Sequence, residues 1–130
     1  MDKLLAHGAT ITDAAYQEAN ELRNGAISYF GSFFNDFEAM STPSAPGAAP
    51  LFSAGSTGNP IFSTVWTLCG LPCLNMPVLM SENDMPIGIQ LVGGPEEDDR
   101  LLRTGSWMLA TLNAVEADAA DSNETVATKL

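Results

Sequence analysis

Two apolar segments, Cys73 to Met80 and Pro86 to Gly93, flank a short stretch containing Asn83-Asp84, and they constrain the fold more than any other part of the chain. Ser81 to Met85 has turn chemistry, so the two segments predict a pair of strands joined as a β-hairpin. In the second strand Ile87, Ile89 and Leu91 alternate with Gly88, Gln90 and Val92, the two-residue period of a pleated strand. The first offers no polar face suited to a solvent boundary, which points to cover on both sides of the sheet.

The elements that could supply that cover are helical. Thr10 and Thr12 are good N-caps, and Ala15, Ala19, Leu22, Ala26, Phe30 and Phe33 follow at three- and four-residue steps, predicting an amphipathic helix from Asp13 to Phe34. Gly25 and Gly31 each weaken it by about 1 kcal/mol relative to Ala, so a bend or an early end is expected there. Pro95 and Glu96-Glu97-Asp98-Asp99 mark a second helix start, with Leu101, Leu102, Gly105, Met108, Leu109 and Leu112 as its buried stripe and an end near Asn113. Residues 113–130 read as a disordered acidic tail. Phe37 to Thr42 is a further short strand, stopped by Pro43, and Ile61 to Leu68 gives two helical turns ended by Gly70 and Pro72. Between them, Ser41 to Pro60 is rich in Pro, Gly, Ala and Ser, a long loop of linker-like composition.

Charge and composition narrow the function. Five Lys and Arg face sixteen Asp and Glu, a net charge of −11, and such a field repels a phosphate backbone, so no nucleic-acid partner is expected. No stretch approaches the ~20 apolar residues that span a bilayer, and no signal-peptide layout is present, so no membrane partner and a cytoplasmic location are expected. Cys69 and Cys73 match neither a redox nor a zinc pattern and read as two small buried thiols. His7 is the single histidine and reads as a surface residue. Ser56, in Gly55-Ser56-Thr57-Gly58, lacks the surroundings of an activated nucleophile. Lys3 and Lys129 lie near the chain ends, poor places for a buried general base. The carboxylate pairs Asp98-Asp99 and Asp36 with Glu38 are explained by a helix start and a helix-to-strand junction. No catalytic residue and no metal ligand emerges.

The order of the segments carries more. Asp36, Thr42-Pro43-Ser44, Ala49-Pro50, Thr57-Gly58-Asn59-Pro60-Ile61-Phe62, Trp66-Thr67-Leu68-Cys69-Gly70-Leu71-Pro72, Asn75-Met76-Pro77-Val78 and Met85 to Gly93, then Asp98 and Leu101-Leu102, follow one another in this sequence. Together they resemble the C-terminal portion of the amidase-signature family, over about Ile11 to Leu112. The resemblance implies an α/β fold, the last strands and helices of an α/β/α sandwich around a large mixed sheet, with residues 1–112 as the C-terminal part of that domain. It implies hydrolysis or transfer of carboxamides through a Ser-Ser-Lys triad, with no cofactor and a small-molecule amide as substrate. The Gly-Ser-Ser-Gly-type stretch of that triad does not occur in these 130 residues, so no catalytic role carries over and no activity is expected of this chain by itself. Asn59, Ile61, Phe62 and Trp66 are implied as substrate-facing, while core packing is the stronger reading for Phe62 and Trp66 because large aromatics bury wherever they can. Pro60 and Ser63 stand where the glutamine-dependent transamidating relatives carry other groups, which favours a general amidase. The expected partner is the missing N-terminal portion or a second copy. The other readings are a non-catalytic binding module and one half of a split amidase.

Overall fold

The computed structural model describes residues 2–81 and 83–127. Strand β1 (Met40–Pro43), strand β2 (Cys73–Met80) and strand β3 (Pro86–Val92) form one antiparallel sheet among the described residues, in the order β1-β3-β2. Ser81 closes the hairpin. Its N–H donates to the Met85 carbonyl at 2.9 Å, and its hydroxyl accepts from the Met85 N–H at 3.2 Å. Asp84 takes the left-handed conformation there, with φ 55°, which Asp tolerates better than most residues.

Alternation along β3 splits the core in two. On one face Leu91 packs with Met76 of β2 and Leu101 of helix α4 (Asp98–Ala127). On the other, Val92 packs with Phe34 of helix α2 (Asp13–Asp36), with Cys69 of helix α3 (Thr64–Cys69) and with Leu71. Val92 is 0% exposed, a burial that contributes about 1.5–3 kcal/mol. Helices therefore cover both faces, the α/β/α arrangement that the apolar strands require. Gly105 lets α4 approach the sheet, because a Cβ at that position would fall on the Leu74 side chain.

Two arginines fasten α2. Arg23 Nε donates to the Leu68 carbonyl near the end of α3 at 2.8 Å. At the other end, Arg100 of α4 donates to the carbonyls of Phe34 (3.1 Å) and Phe37 (2.8 Å), to Glu38 (2.8 Å) and to Glu97 (3.0 Å). A cation at the C-terminus of a helix answers both its unpaired carbonyls and its dipole. Anchored so, α2 runs unbroken through Gly25 and Gly31, against the expected bend. Thr12 caps it as expected, accepting from the Ala15 N–H at 3.2 Å.

Several boundaries move. Helix α1 (Asp2–Gly8) precedes α2 and was not anticipated; His7, in its last turn, is exposed as expected. The buried face of α2 is Ala26, Ile27, Phe30, Phe33 and Phe34, which keeps Ala26, Phe30 and Phe33 of the expected stripe, while Ala15 and Leu22 are exposed. Strand β1 begins at Met40, not Phe37, whose carbonyl is taken by Arg100. Helix α3 begins at Thr64, because the Pro60 carbonyl first accepts from Ser63 and Thr64 in a turn. Pro95 precedes α4 by three residues, and Glu96 turns the chain with φ 59° before Asp98 and Asp99 occupy the first turn. Leu102 and Leu109 of the expected stripe are exposed. The end near Asn113 is also overturned: α4 continues as helical backbone to Ala127, since the Ala- and Glu-containing stretch has no Gly or Pro to stop it. Cys73 is exposed, on the β2 face opposite Met76, so only Cys69 is a buried thiol.

The accessible surface is 9912 Å², where a folded monomer of this length exposes roughly 6,600 Å². Exposed apolar side chains contribute to the excess, Leu22, Leu51, Phe52 and Trp107 among them. Arg100, whose side chain is 25% exposed, is the connection whose loss the fold should feel most. Arg100→Ala is expected to lower stability by about 2–3 kcal/mol by stranding two carbonyls and Glu97, and Arg100→Lys by less. Urea denaturation followed by circular dichroism measures both; an unchanged midpoint would mean that water replaces the guanidinium at no cost.

Candidate functional site

The sheet face that carries Val92 becomes polar toward Gly88. Cross-strand register aligns Thr42, Gln90 and Asn75 in a row across β1, β3 and β2. Gln90 is 5% exposed, and a buried carboxamide requires partners. Its Nε2 donates to the Phe62 carbonyl at 2.6 Å, to Thr42 Oγ1 at 2.9 Å and to the Pro43 carbonyl at 3.3 Å. Next along β3, Gly88 leaves room where any Cβ would fall on Asn75 and Ser44. The Ser44 hydroxyl donates to Asn75 Oδ1, and the Ser44 N–H donates to the Gly88 carbonyl at 3.0 Å.

At the Asn75 and Gly88 end of this row lies a cavity of about 440 Å³, walled by residues 44–50 and 57–59 and floored by Asn75 and residues 86–88. That volume suits a small molecule. Residues 57–64 reach it through tight local turns. Gly58 N–H donates to Ser56 Oγ at 3.1 Å, and Ile61 N–H donates to Asn59 Oδ1 at 3.0 Å. Thr64 Oγ1 donates to the Pro60 carbonyl at 2.9 Å. Gly70, with φ 69°, then ends α3, its N–H donating to Thr67 and Leu71 N–H donating to Trp66, a turn that favours Gly.

Of the residues expected to face substrate, Asn59 lines this cavity. Ile61 is exposed and lies outside its lining, as do Phe62 and Trp66. Phe62 is half-buried and presents its carbonyl to Gln90. Trp66 meets Phe30 edge-on at 5.3 Å and joins the apolar cluster around Val92; its Nε1 is buried and has no hydrogen-bond partner among the described residues. Sequence reasoning missed Ser44, Asn75, Gly88 and Gln90. A polar residue at a fully buried strand position was the available signal, and it stood in the alternation of β3.

The cavity lining is Ser, Thr, Asn, Gly, Pro and apolar side chains, without a titratable group. It can hold a ligand by hydrogen bonds, and proton transfer needs groups from elsewhere. Of the carboxylates weighed from sequence, Glu38 pairs with Arg100 at 2.8 Å and Asp99 with Arg103 at 2.7 Å. The Arg103 guanidinium holds the Asp99 carboxyl below the usual carboxylate range. Desolvation of its sulfur pushes the Cys73 thiol up from its ordinary value, away from a reactive thiolate. Among the described residues no group of three or more His, Cys, Asp or Glu could hold a metal ion, and no helix is long and apolar enough to cross a membrane.

Sheet and covering helices form a piece of an α/β/α domain, and the amidase family model matches residues 3–102. The chain belongs to the amidase family, as its C-terminal part. It is 34% identical over 108 residues to a glutamyl-tRNA(Gln) amidotransferase subunit from Helicobacter hepaticus, covering 78% of this chain and 24% of the relative. It is 36% identical over 88 residues to the same subunit from Wolinella succinogenes, covering 62% of this chain and 19% of the relative. The chain thus spans about a fifth to a quarter of the length of these relatives. Among solved structures, the corresponding glutamyl-tRNA(Gln) amidotransferase subunit from Thermotoga maritima has the same fold, with TM-score 0.62 and 23% identity over 79% of this chain and 24% of that one. These relatives belong to the transamidating branch, which Pro60 and Ser63 had counted against.

The packing of Gly88 makes one substitution informative. In Gly88→Ala the new methyl displaces Asn75 from Ser44, with an expected loss of about 1 kcal/mol. The shift of the Asn75 side-chain amide signals in NMR spectra, together with the denaturation midpoint, measures it; unmoved signals would show that the strand itself gives way instead.

Proposed function

We propose that this chain supplies the C-terminal sheet segment and one wall of the acyl pocket to an amidase that acts on small carboxamides, with catalysis residing in residues that this sequence does not contain. The observation that carries the reading is the cavity beside Ser44, Asn75 and Gly88. Its lining is largely apolar, with hydrogen-bonding side chains from Ser44, Thr57, Asn59 and Asn75, and lacks any nucleophile-and-base pair, the composition of a wall rather than of a reacting centre. Asn59 at the cavity, with Ile61, Phe62 and Trp66 on the segment that follows, forms the substrate-facing stretch in this reading. The names of the relatives favour a second version, in which the amide nitrogen is transferred to an acceptor rather than released to water. The partner is then the remainder of such an enzyme, and a cytoplasmic location accords with both versions.

The test is hydrolysis of a panel of simple aromatic and aliphatic amides by the purified chain, alongside its mass in solution. The expected result is no turnover, together with self-association through the uncovered apolar surface and strand edges. Turnover above background by a clean monomer would overturn the reading, and Ser56 would be the first residue to replace.

A further inference from the structure

The loop over the cavity has little holding it down. Among the described residues, the hydrogen bonds made by residues 45–62 reach no further than Thr64, with one exception. Ala54 and Gly55 bond back to Leu51 and Phe52, Gly58 to Ser56, Ile61 to Asn59, and Ser63 and Thr64 to Pro60. The exception is the Phe62 carbonyl, which accepts from Gln90 Nε2 at 2.6 Å across 28 positions of sequence. Upstream, the Ser44 N–H is fixed to Gly88, and downstream Trp66 is fixed by packing against Phe30. Between those two points one carboxamide joins the cavity-lining segment to the sheet by hydrogen bonding.

The donor side of that carboxamide is fully committed. Two hydrogens on Nε2 serve three acceptors, and two of these, the carbonyls of Pro43 and Phe62, can only accept. Any replacement that cannot donate leaves them facing an apolar or anionic group inside the sheet.

We infer that Gln90 is a positioning residue: its Nε2 latches the Asn59–Phe62 stretch to the sheet and so sets the geometry of the cavity wall. The inference rests on reading residues 59–62 as substrate-facing, while the latch itself is a property of this chain and is measured without substrate.

The discriminating variant is Gln90→Glu. Ionised, it has no donor and repels both carbonyls; protonated, its O–H donates to Phe62 and restores the latch. Burial raises the pKa of such a carboxyl, so the latch is closed below that value and opens as pH rises through it. The cavity lining has no titratable group, and the titratable groups of the apolar cluster beside Gln90 and of the paired strand are the Cys69 and Cys73 thiols. Wild type carries the same two thiols and is the control.

Hydrogen-exchange protection of the Ile61, Ser63 and Thr64 amides is measured on the 130-residue chain between about pH 4 and pH 8, the range that brackets a perturbed carboxyl, with Trp66 fluorescence in parallel. Wild type is expected to be flat with pH. Gln90→Glu should match it at the acid end and lose on the order of tenfold in protection at the other, while Gln90→Leu is low throughout. Sheet amides at Leu91 and Val92 report whether each variant stays folded. A Gln90→Glu profile as flat as wild type overturns the inference; so does loss of sheet and loop protection together, which would make Gln90 a general stability residue. If the latch titrates and benzamide leaves Trp66 fluorescence unmoved, the latch stands and the substrate-facing reading falls.

Discussion

A single strand has to satisfy three layers at once, and β3 does so with four consecutive residues. Ile89 and Leu91 turn toward α4, while Gln90 and Val92 turn toward α2 and α3. Val92 closes the apolar half of its face, and Gln90, the polar residue beside it, anchors β1 through Thr42 and Pro43 and the cavity wall through Phe62. A buried amide in low-dielectric surroundings is costly when unpaired and strong when paired. The site and the core therefore meet in adjacent side chains, and neither can shift along the strand without disturbing the other. A register slip of one residue would exchange Gln90 with Leu91 and place an amide in the apolar layer beneath α4.

The chain's charge makes its few cations conspicuous. With sixteen acids against five bases, each described arginine is committed to a structural contact: Arg23 on α3, Arg103 on Asp99, and Arg100 on two carbonyls and two carboxylates. Arg100 is the most consequential because it joins the helix layers of opposite sheet faces around the sheet's end. The Arg103–Asp99 pair is exposed on both sides and contributes little by comparison.

The strands, the hairpin turn, α2 and the segment order were legible in the sequence because each rests on local pattern: two-residue alternation, Asn83-Asp84 in a turn, and three- and four-residue spacing behind a threonine cap. What depended on long-range partners was not. Leu22 and Phe34 are equally apolar in sequence, and only the packing of Phe34 with Cys69, Leu71 and Val92 shows which of them faces inward. Cys73 shares the sheet face of Val92 but lies on the edge strand β2, and strand order is not written in local pattern. The site was half legible. Family resemblance implies that Asn59, Ile61, Phe62 and Trp66 face substrate, and of these Asn59 lines the cavity, while Ser44, Asn75 and Gly88 come together only when the strands are in register.

The same geometry explains how a wall can resemble a site without being a reacting centre. Amide cleavage requires a nucleophile made basic by a neighbour and a donor set for the developing oxyanion. Around this cavity several hydroxyls and amides are already engaged: Ser44 with Asn75, Ser56 with Gly58, Asn59 with Ile61. Groups satisfied locally hold shape well and change protonation poorly. A cavity wall of this kind suits the binding side of a reaction, where rigid placement of a neutral amide counts, and leaves the charged steps to whatever surface faces it across the opening.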